Sequence, residues 1–325
     1  MENRLFSNKR LLKLIVPLVI EQGLTILVGM ADGVMVSSVG EAAISGVSLV
    51  DMIAAVILVL FAALATGGAV ITSQYLGARN MEKARRSAGQ LILMAASLGV
   101  LIMIPCLIFS EQLLMLCFGA IEADVKAAGL TYMRITALSF PFLALYNAGA
   151  AIYRSVGNSK VSMQASMLMN IINVVGNALL IFGLCGFPAL GLDGAAIATA
   201  IARTVECLFL VVIVYKKQLP GAATLRELFA FDRSFVKKYI KTAWPVLLNE
   251  ILWSTGISLY SVAYGLLGTA ALAAVQISNT AIQLSTVFTR GLSNACGIFI
   301  GRTVGAGDRE KAIDYGYRFS LLLPT

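Results

Sequence analysis

Eight long, mostly apolar stretches, near 13–37, 47–75, 86–110, 127–152, 161–184, 192–215, 238–262 and 271–301, leave this chain few ways to fold. A helix crosses the hydrocarbon core of a bilayer with about 20 apolar residues. Hydrocarbon offers backbone groups no partner, so each crossing must close its own hydrogen bonds. A ninth stretch begins near 315. None alternates over the roughly ten-residue segments of an outer-membrane barrel strand. The spans are therefore predicted as helices of an all-α integral membrane protein. Composition agrees: 58% of residues are hydrophobic and 13% charged, with a mean hydropathy of +0.85. A soluble chain carries about twice that charge. Arg4, Lys9, Arg10 and Lys13 before the first span imitate a signal peptide, but Glu21 interrupts the apolar run and no small-residue cleavage site follows. The segment reads as a retained helix.

Lys and Arg alternate cleanly between connections. The N-terminus and the connections after spans two, four, six and eight carry Arg79, Lys83, Arg85 and Arg86; Arg154 and Lys160; seven basic residues from Lys216 to Lys241; and Arg302, Arg309 and Lys311. The other connections carry only Lys126. Positive loops stay cytoplasmic, which predicts a multi-pass protein of the bacterial cytoplasmic membrane with its N-terminus inside. The net charge of +8 is thus a topology signal, spread over five segments, and no nucleic-acid partner is expected.

Several chemistries drop out. The chain has no His, which removes His-based triads and most zinc sites. Cys106, Cys117, Cys185, Cys207 and Cys296 show no metal-type spacing and read as packing residues. No phosphate-binding glycine loop is present, so neither ATP-driven transport by this chain alone nor a membrane-embedded enzyme is expected, and no cofactor beyond a coupling ion.

The chain repeats itself. The octet 77-GARNMEKA-84 shares five identities with 305-GAGDREKA-312, 228 residues later. The same offset pairs Pro17 with Pro245, Gly40 with Gly268, Gln74 with Arg302, and 42-AAISGV-47 with 270-AALAAV-275. Six spans lie within the offset, so both copies enter the membrane from one side as parallel repeats. A second copy of full length would give about 450 residues and twelve helices; about eight and a half helices are present here. The expected organisation is a six-helix lobe over 1–215, an amphipathic cytoplasmic linker over 216–237 containing 224-TLRELFAFDRSF-235, and an incomplete second lobe over 238–325.

Polar residues inside the spans point to function. In 21-EQGLTILVGMADGVMV-36, Glu21 and Asp32 stand three helical turns apart on one face. A carboxylate at the bilayer centre costs on the order of 3 kcal/mol, so that face is expected to meet a polar interior. In 170-NIINVVGNALLIFG-183, Asn170, Asn173 and Asn177 share a helical face. Asp32, Asn173 and Asn177 supply oxygens for Na+, or acceptors around a protonated acid; buried Asn also serves as glue between helices. Glu21 reads either as a second coupling acid or as an internal hydrogen-bond partner. Glu206 is placed to pair with Arg203, Asp51 to reach water, and Arg134 to snorkel. Arg290 faces either the space between lobes or an acid on another helix.

These motifs together resemble the multidrug and toxic compound extrusion (MATE) transporters. The resemblance rests on Pro17, Glu21, Asp32 and 42-AAISGVS-48, on 74-QYLGARNMEKA-84, on 154-RSVGNSK-160 with Asn158 where the family has Asp, and on the asparagine stripe followed by 194-GAAIATAIAR-203. It implies two six-helix lobes that open alternately, exporting organic cations and other drugs against inward Na+ or H+. It also implies coupling roles for Asp32, Asn173 and Asn177, and weaker ones for Glu250 in the seventh helix and Thr199. A monomer in the lipid bilayer is expected. The rivals are a flippase for lipid-linked oligosaccharides of related fold, which would line its cavity with cations such as Arg203 and Arg290, and a channel.

Overall fold

The computed structural model describes residues 8–119, 121–216, 233–266 and 269–322. Most of the predicted linker lies outside these residues, as do the side chains of Glu250 and Arg290. The helices are α1 (Asn8–Ser37), α2 (Glu41–Gly77), α3 (Met81–Ile108), α4 (Ser110–Phe118), α5 (Ala123–Ala137), α6 (Phe140–Ser155), α7 (Ser159–Phe182), α8 (Leu192–Lys216), α9 (Arg233–Leu266), α10 (Thr269–Gly305) and α11 (Arg309–Leu322). Each of α1, α2, α3, α7 and α8 is long and apolar enough to cross a membrane. Helices α9 and α10 have 34 and 37 described residues, against 30 and 37 for α1 and α2. Val34, Leu101, Ile171 and Leu208 stand exposed on this surface, as a lipid-facing shell requires.

The predicted fourth span is two helices, α5 and α6, meeting at a bend of 51°. Pro141 in the first turn of α6 explains the break. It has no N–H to give to the Ala137 carbonyl, and its ring crowds that carbonyl. The Ser139 side chain bonds the Thr136 carbonyl at 2.6 Å in place of a continued helical ladder. The short α4 was not foreseen; it runs beside α5 between the third and fourth spans.

The repeat is visible residue by residue. Helices α2 and α10 have the same length, and their first and last residues stand 228 apart. The turn after α2 carries bonds from the amides of Ala78, Arg79 and Asn80 to the carbonyls of Gln74, Leu76 and Tyr75. After α10, Ala306, Gly307 and Asp308 make the same three bonds to Arg302, Val304 and Thr303. Asn80 then caps α3 by accepting from the Lys83 amide at 3.0 Å, and Asp308 caps α11 by accepting from Lys311 at 3.1 Å.

The two copies meet at this basic end of the bundle. A Cβ added at Gly77 would fall 2.1 Å from the Arg302 carbonyl oxygen, and one at Gly305 would fall 2.1 Å from that of Gln74. Each glycine thus faces the residue three before its own counterpart, which is the signature of a two-fold crossing. Ser73 and Gly301, counterparts of each other, meet across the crossing. Helix α1 packs beside it through Ile15 and Leu18 against Leu292 and Ala295 of α10. On the other side α9 approaches α2, where Ala243 lies against Gly67. Arg302 completes the contact by donating from Nε to the Ser155 carbonyl at the end of α6, at 2.9 Å.

Gly77→Ala and Gly305→Ala are each expected to destabilise the detergent-solubilised protein by about 1–3 kcal/mol through overpacking. Gly29→Ala, with nothing within 4 Å of the new methyl, should instead match the parent or exceed it by up to about 1 kcal/mol through helix propensity. Thermal unfolding of the three variants separates these outcomes.

Candidate functional site

Helix α7 packs closely against both α1 and α8, and Glu21, Asp32, Thr199, Glu206 and the buried serines and asparagines of α7 lie along the seam of these two contacts. Small residues allow the approach: a Cβ at Gly194 of α8 would meet the Leu180 carbonyl at 2.4 Å, and one at Gly176 would meet the Ala198 methyl at 3.0 Å. On α7 the buried residues Ser162, Ser166, Asn170, Asn173 and Asn177 all fall within an arc of about 80°.

Two polar groups form along this seam. In the group farther from the basic end, Asn177 donates through Nδ2 to Asp32 Oδ1. Asn177 is wholly buried, Asp32 is partly exposed, and Asn177 Oδ1 has no hydrogen-bond partner. Asn173 Nδ2 donates to Thr199 Oγ1 at 3.2 Å, with the buried Tyr132 close by. Asp51, on the exposed side of α2, lies near enough to feel the charges of both Asp32 and Arg203. The group is a carboxylate, amides and hydroxyls with one unused oxygen acceptor, a donor set suited to a hard cation or to a protonated acid.

The second group surrounds Glu21, about 16 Å along α1 from Asp32 at 1.5 Å per residue. Glu21 Oε2 accepts from Ser162 Oγ at 2.8 Å. Its Oε1 accepts from the Tyr146 hydroxyl and from Arg154 Nη1, each at 3.4 Å. Glu206 of α8 is buried near them, within reach of the charge on Glu21.

The residues singled out from sequence therefore separate. Asp32 joins Asn177, and Asn173 joins Thr199. Glu21 faces the same side of α1 but is buried in the second group, with three hydrogen-bond donors around it. Asn170 is buried between the two groups, and its Nδ2 has no partner. The side chain of Glu250 lies outside the described residues. Glu206 does not form an ion pair with Arg203; Arg203 instead donates from Nη1 to Ser139 Oγ at 3.2 Å, the hydroxyl that the α5–α6 break holds in place. Arg134 donates from Nε to Ser110 at 3.1 Å from an exposed position, in keeping with snorkelling. Tyr132, Tyr146, Arg154, Ser162 and Arg203 were not assigned to the site from sequence. Ser162 and Ser166 were open to detection, since they continue the asparagine stripe toward the basic end at the same helical spacing.

The MatE family model matches residues 17–179 and 245–323, which include Glu21, Asp32, Asn170, Asn173 and Asn177 and residues of both copies of the repeat. The chain is 28% identical to an uncharacterised transporter, YisQ, of Bacillus subtilis, an alignment covering 92% of this chain and 65% of that protein. It is 27% identical to a probable multidrug resistance protein, NorM, of Thermotoga maritima, covering 97% and 68%. Among solved structures it resembles an outward-facing multidrug resistance MATE transporter at a TM-score of 0.85 and 25% identity, covering 96% of this chain and 68% of that one. A MOP-superfamily transporter from Pyrococcus furiosus matches equally well, with a TM-score of 0.85, 25% identity, and 97% and 69% coverage. The chain thus spans about two thirds of the length of these relatives.

Ser162→Ala removes a donor from a buried carboxylate and is expected to cost about 1–3 kcal/mol. Thr199→Val leaves only the Asn173 amide unserved and should cost about 0.6 kcal/mol, typical of hydrogen bonds between membrane helices. Unfolding of both variants in mixed micelles tests this order.

Proposed function

The chain belongs to the MatE, or MATE, family of transporters, and on that premise we propose that it forms the first lobe and the beginning of the second in a multidrug exporter. Its substrates are organic cations and related drugs, exchanged for inward Na+ or H+. Residues 1–215 make one lobe, 216–237 a surface linker and 238–325 the start of the other, with the basic end of the bundle facing the cytoplasm. The protein acts as a monomer in the bacterial cytoplasmic membrane.

One observation carries the coupling role: Asn177 holds Asp32 through its amide hydrogen while leaving its own oxygen free in a fully buried position. A cation at Asp32 would find two oxygens, one from each residue. A proton on Asp32 would make it a donor, and a turned Asn177 amide would accept from it; O and N of an amide exchange roles by a simple flip. Either way the pair has two arrangements, with and without a positive charge. Such an ion drives transport only by binding one conformation better than the other. Since α1 packs against α7 through this pair and against α10 through Ile15 and Leu18, a change in α1 reaches both repeats.

Asp32→Asn keeps the size and removes the titrating charge. In inverted vesicles with a fluorescent organic cation, this variant should lose at least tenfold of the uptake driven by a sodium or proton gradient, at parental expression. Parental coupled transport in Asp32→Asn would refute the assignment.

A further inference from the structure

The two repeats leave a cavity where the axis relating them passes. It lies about one to three helical turns along α2 from the Gly77–Gly305 contact, between α2, α6 and α10, and measures about 60 Å³. Its lining pairs the copies position by position. Thr66 of α2 stands with Asn294 of α10, Ala69 with Gly297, and Val70 with Ile298, each pair 228 residues apart. Helix α6 breaks this symmetry by adding Arg154.

Arg154 is held from behind. Its Nη1 donates to Glu21 Oε1 at the long distance of 3.4 Å, and Ser162 Oγ keeps Glu21 in place independently at 2.8 Å. Nε and Nη2, which share one edge of the guanidinium, make no hydrogen bond among the described residues, and neither is sealed off from the space around it. Parallel N–H groups on such an edge fit the two oxygens of a carboxylate. Thr66, Ser293 and Asn294 add two hydroxyls and an amide, none of them engaged in a side-chain hydrogen bond among the described residues. No acid is among the lining residues; Glu21 and Glu206 both lie outside them. Arg302 of α10 holds the carbonyl of Ser155, next in the chain to Arg154, and so brings a second positive charge nearby. An arginine with donors to spare in a low-dielectric space favours an anion.

We infer that this axial cavity binds a small carboxylate anion, anchored by the free edge of Arg154 and bonded by Thr66, Ser293 and Asn294. Room for roughly four water molecules, at about 15 Å³ each, fits an ion the size of acetate and excludes a drug-sized molecule. The site is distinct from the Asp32 group and takes the opposite charge, so it does not depend on what the exporter carries. The anion touches Arg154 and Thr66 of the first repeat and Ser293 and Asn294 of the second. It therefore binds the arrangement in which α2 and α10 stay crossed, and it loses partners when the repeats part. A ligand with that preference holds the basic end of the bundle closed.

The test is thermal unfolding of the full chain in detergent micelles, titrated with sodium acetate and with sodium chloride at equal ionic strength. Acetate should raise the unfolding temperature saturably where chloride does not. In Gly297→Leu the apparent affinity for acetate should fall roughly tenfold or more. A Cβ added at Gly297 has nothing within 4 Å, so the larger side chain fills the cavity without crowding a helix. Arg154→Gln should abolish the response. Where that variant does not fold, because it strips a partner from the buried Glu21, Gly297→Leu and Asn294→Ala decide, since both leave the Glu21 pair intact. Equal stabilisation by acetate and chloride overturns the inference, and so does a parental acetate response in Gly297→Leu. A response to inorganic phosphate without one to acetate overturns the carboxylate assignment.

Discussion

Hydrocarbon gives a polar group nothing to fall back on, and the arrangement of the first repeat follows from that. Its outer surface is apolar, while Glu21, Asp32 and the asparagines of α7 are gathered where α7 meets α1 and α8, and other hydroxyls pair between neighbouring helices, as Thr72 does with Ser87. Asn177 serves Asp32, Asn173 serves Thr199, and Ser162 serves Glu21. Against that background, the atoms left over within the seam carry information. Asn177 Oδ1 and Asn170 Nδ2 are buried without partners, and an unmet group in a low-dielectric interior is costly enough to need a reason. Both lie in the seam that also holds the acids.

The second organising element is a turn used three times. After α2, α6 and α10 the chain closes with bonds to carbonyls four and three residues back, then a left-handed residue, then Asn or Asp. Gly157 and Gly307 take the left-handed position with φ of 83°, whereas Arg79 takes it at 55°. A side chain in that conformation costs roughly 1–2 kcal/mol, so the turn at Arg79 is held by its surroundings. It lies two residues beyond Gly77, where the repeats press closest.

Much of this was legible before any coordinates. Long apolar runs located the spans because bilayer thickness demands length, and length is hard to mistake. The constant offset of 228 revealed the repeat, though only the structure showed that the two copies cross where Gly77 and Gly305 touch the opposite copy. The asparagine stripe was readable as a face, since helical spacing decides that. What spacing did not decide was which helix receives the face. That Glu21 and Asp32 share one side of α1 suggested one chamber, yet 16 Å of helix separates them, and each finds its own partners on α7. Arg203 and Glu206 were likewise close enough on α8 to pair, but the broken span offered Ser139 to Arg203. Tertiary neighbours, absent from any local pattern, settled those choices.

The glycine crossing also sets how the molecule bears load. Where Gly77 and Gly305 meet, backbone lies on backbone, and no interlocking side chains must be withdrawn before one helix rolls over the other. Such a contact works as a fulcrum. Helix α10 is about 55 Å long at 1.5 Å per residue, so a roll of about 10° near one end carries the other end roughly 10 Å. In the exporter proposed above, leverage of that kind would turn a change of one ångström beside the pivot into an opening for a small organic molecule at the far mouth.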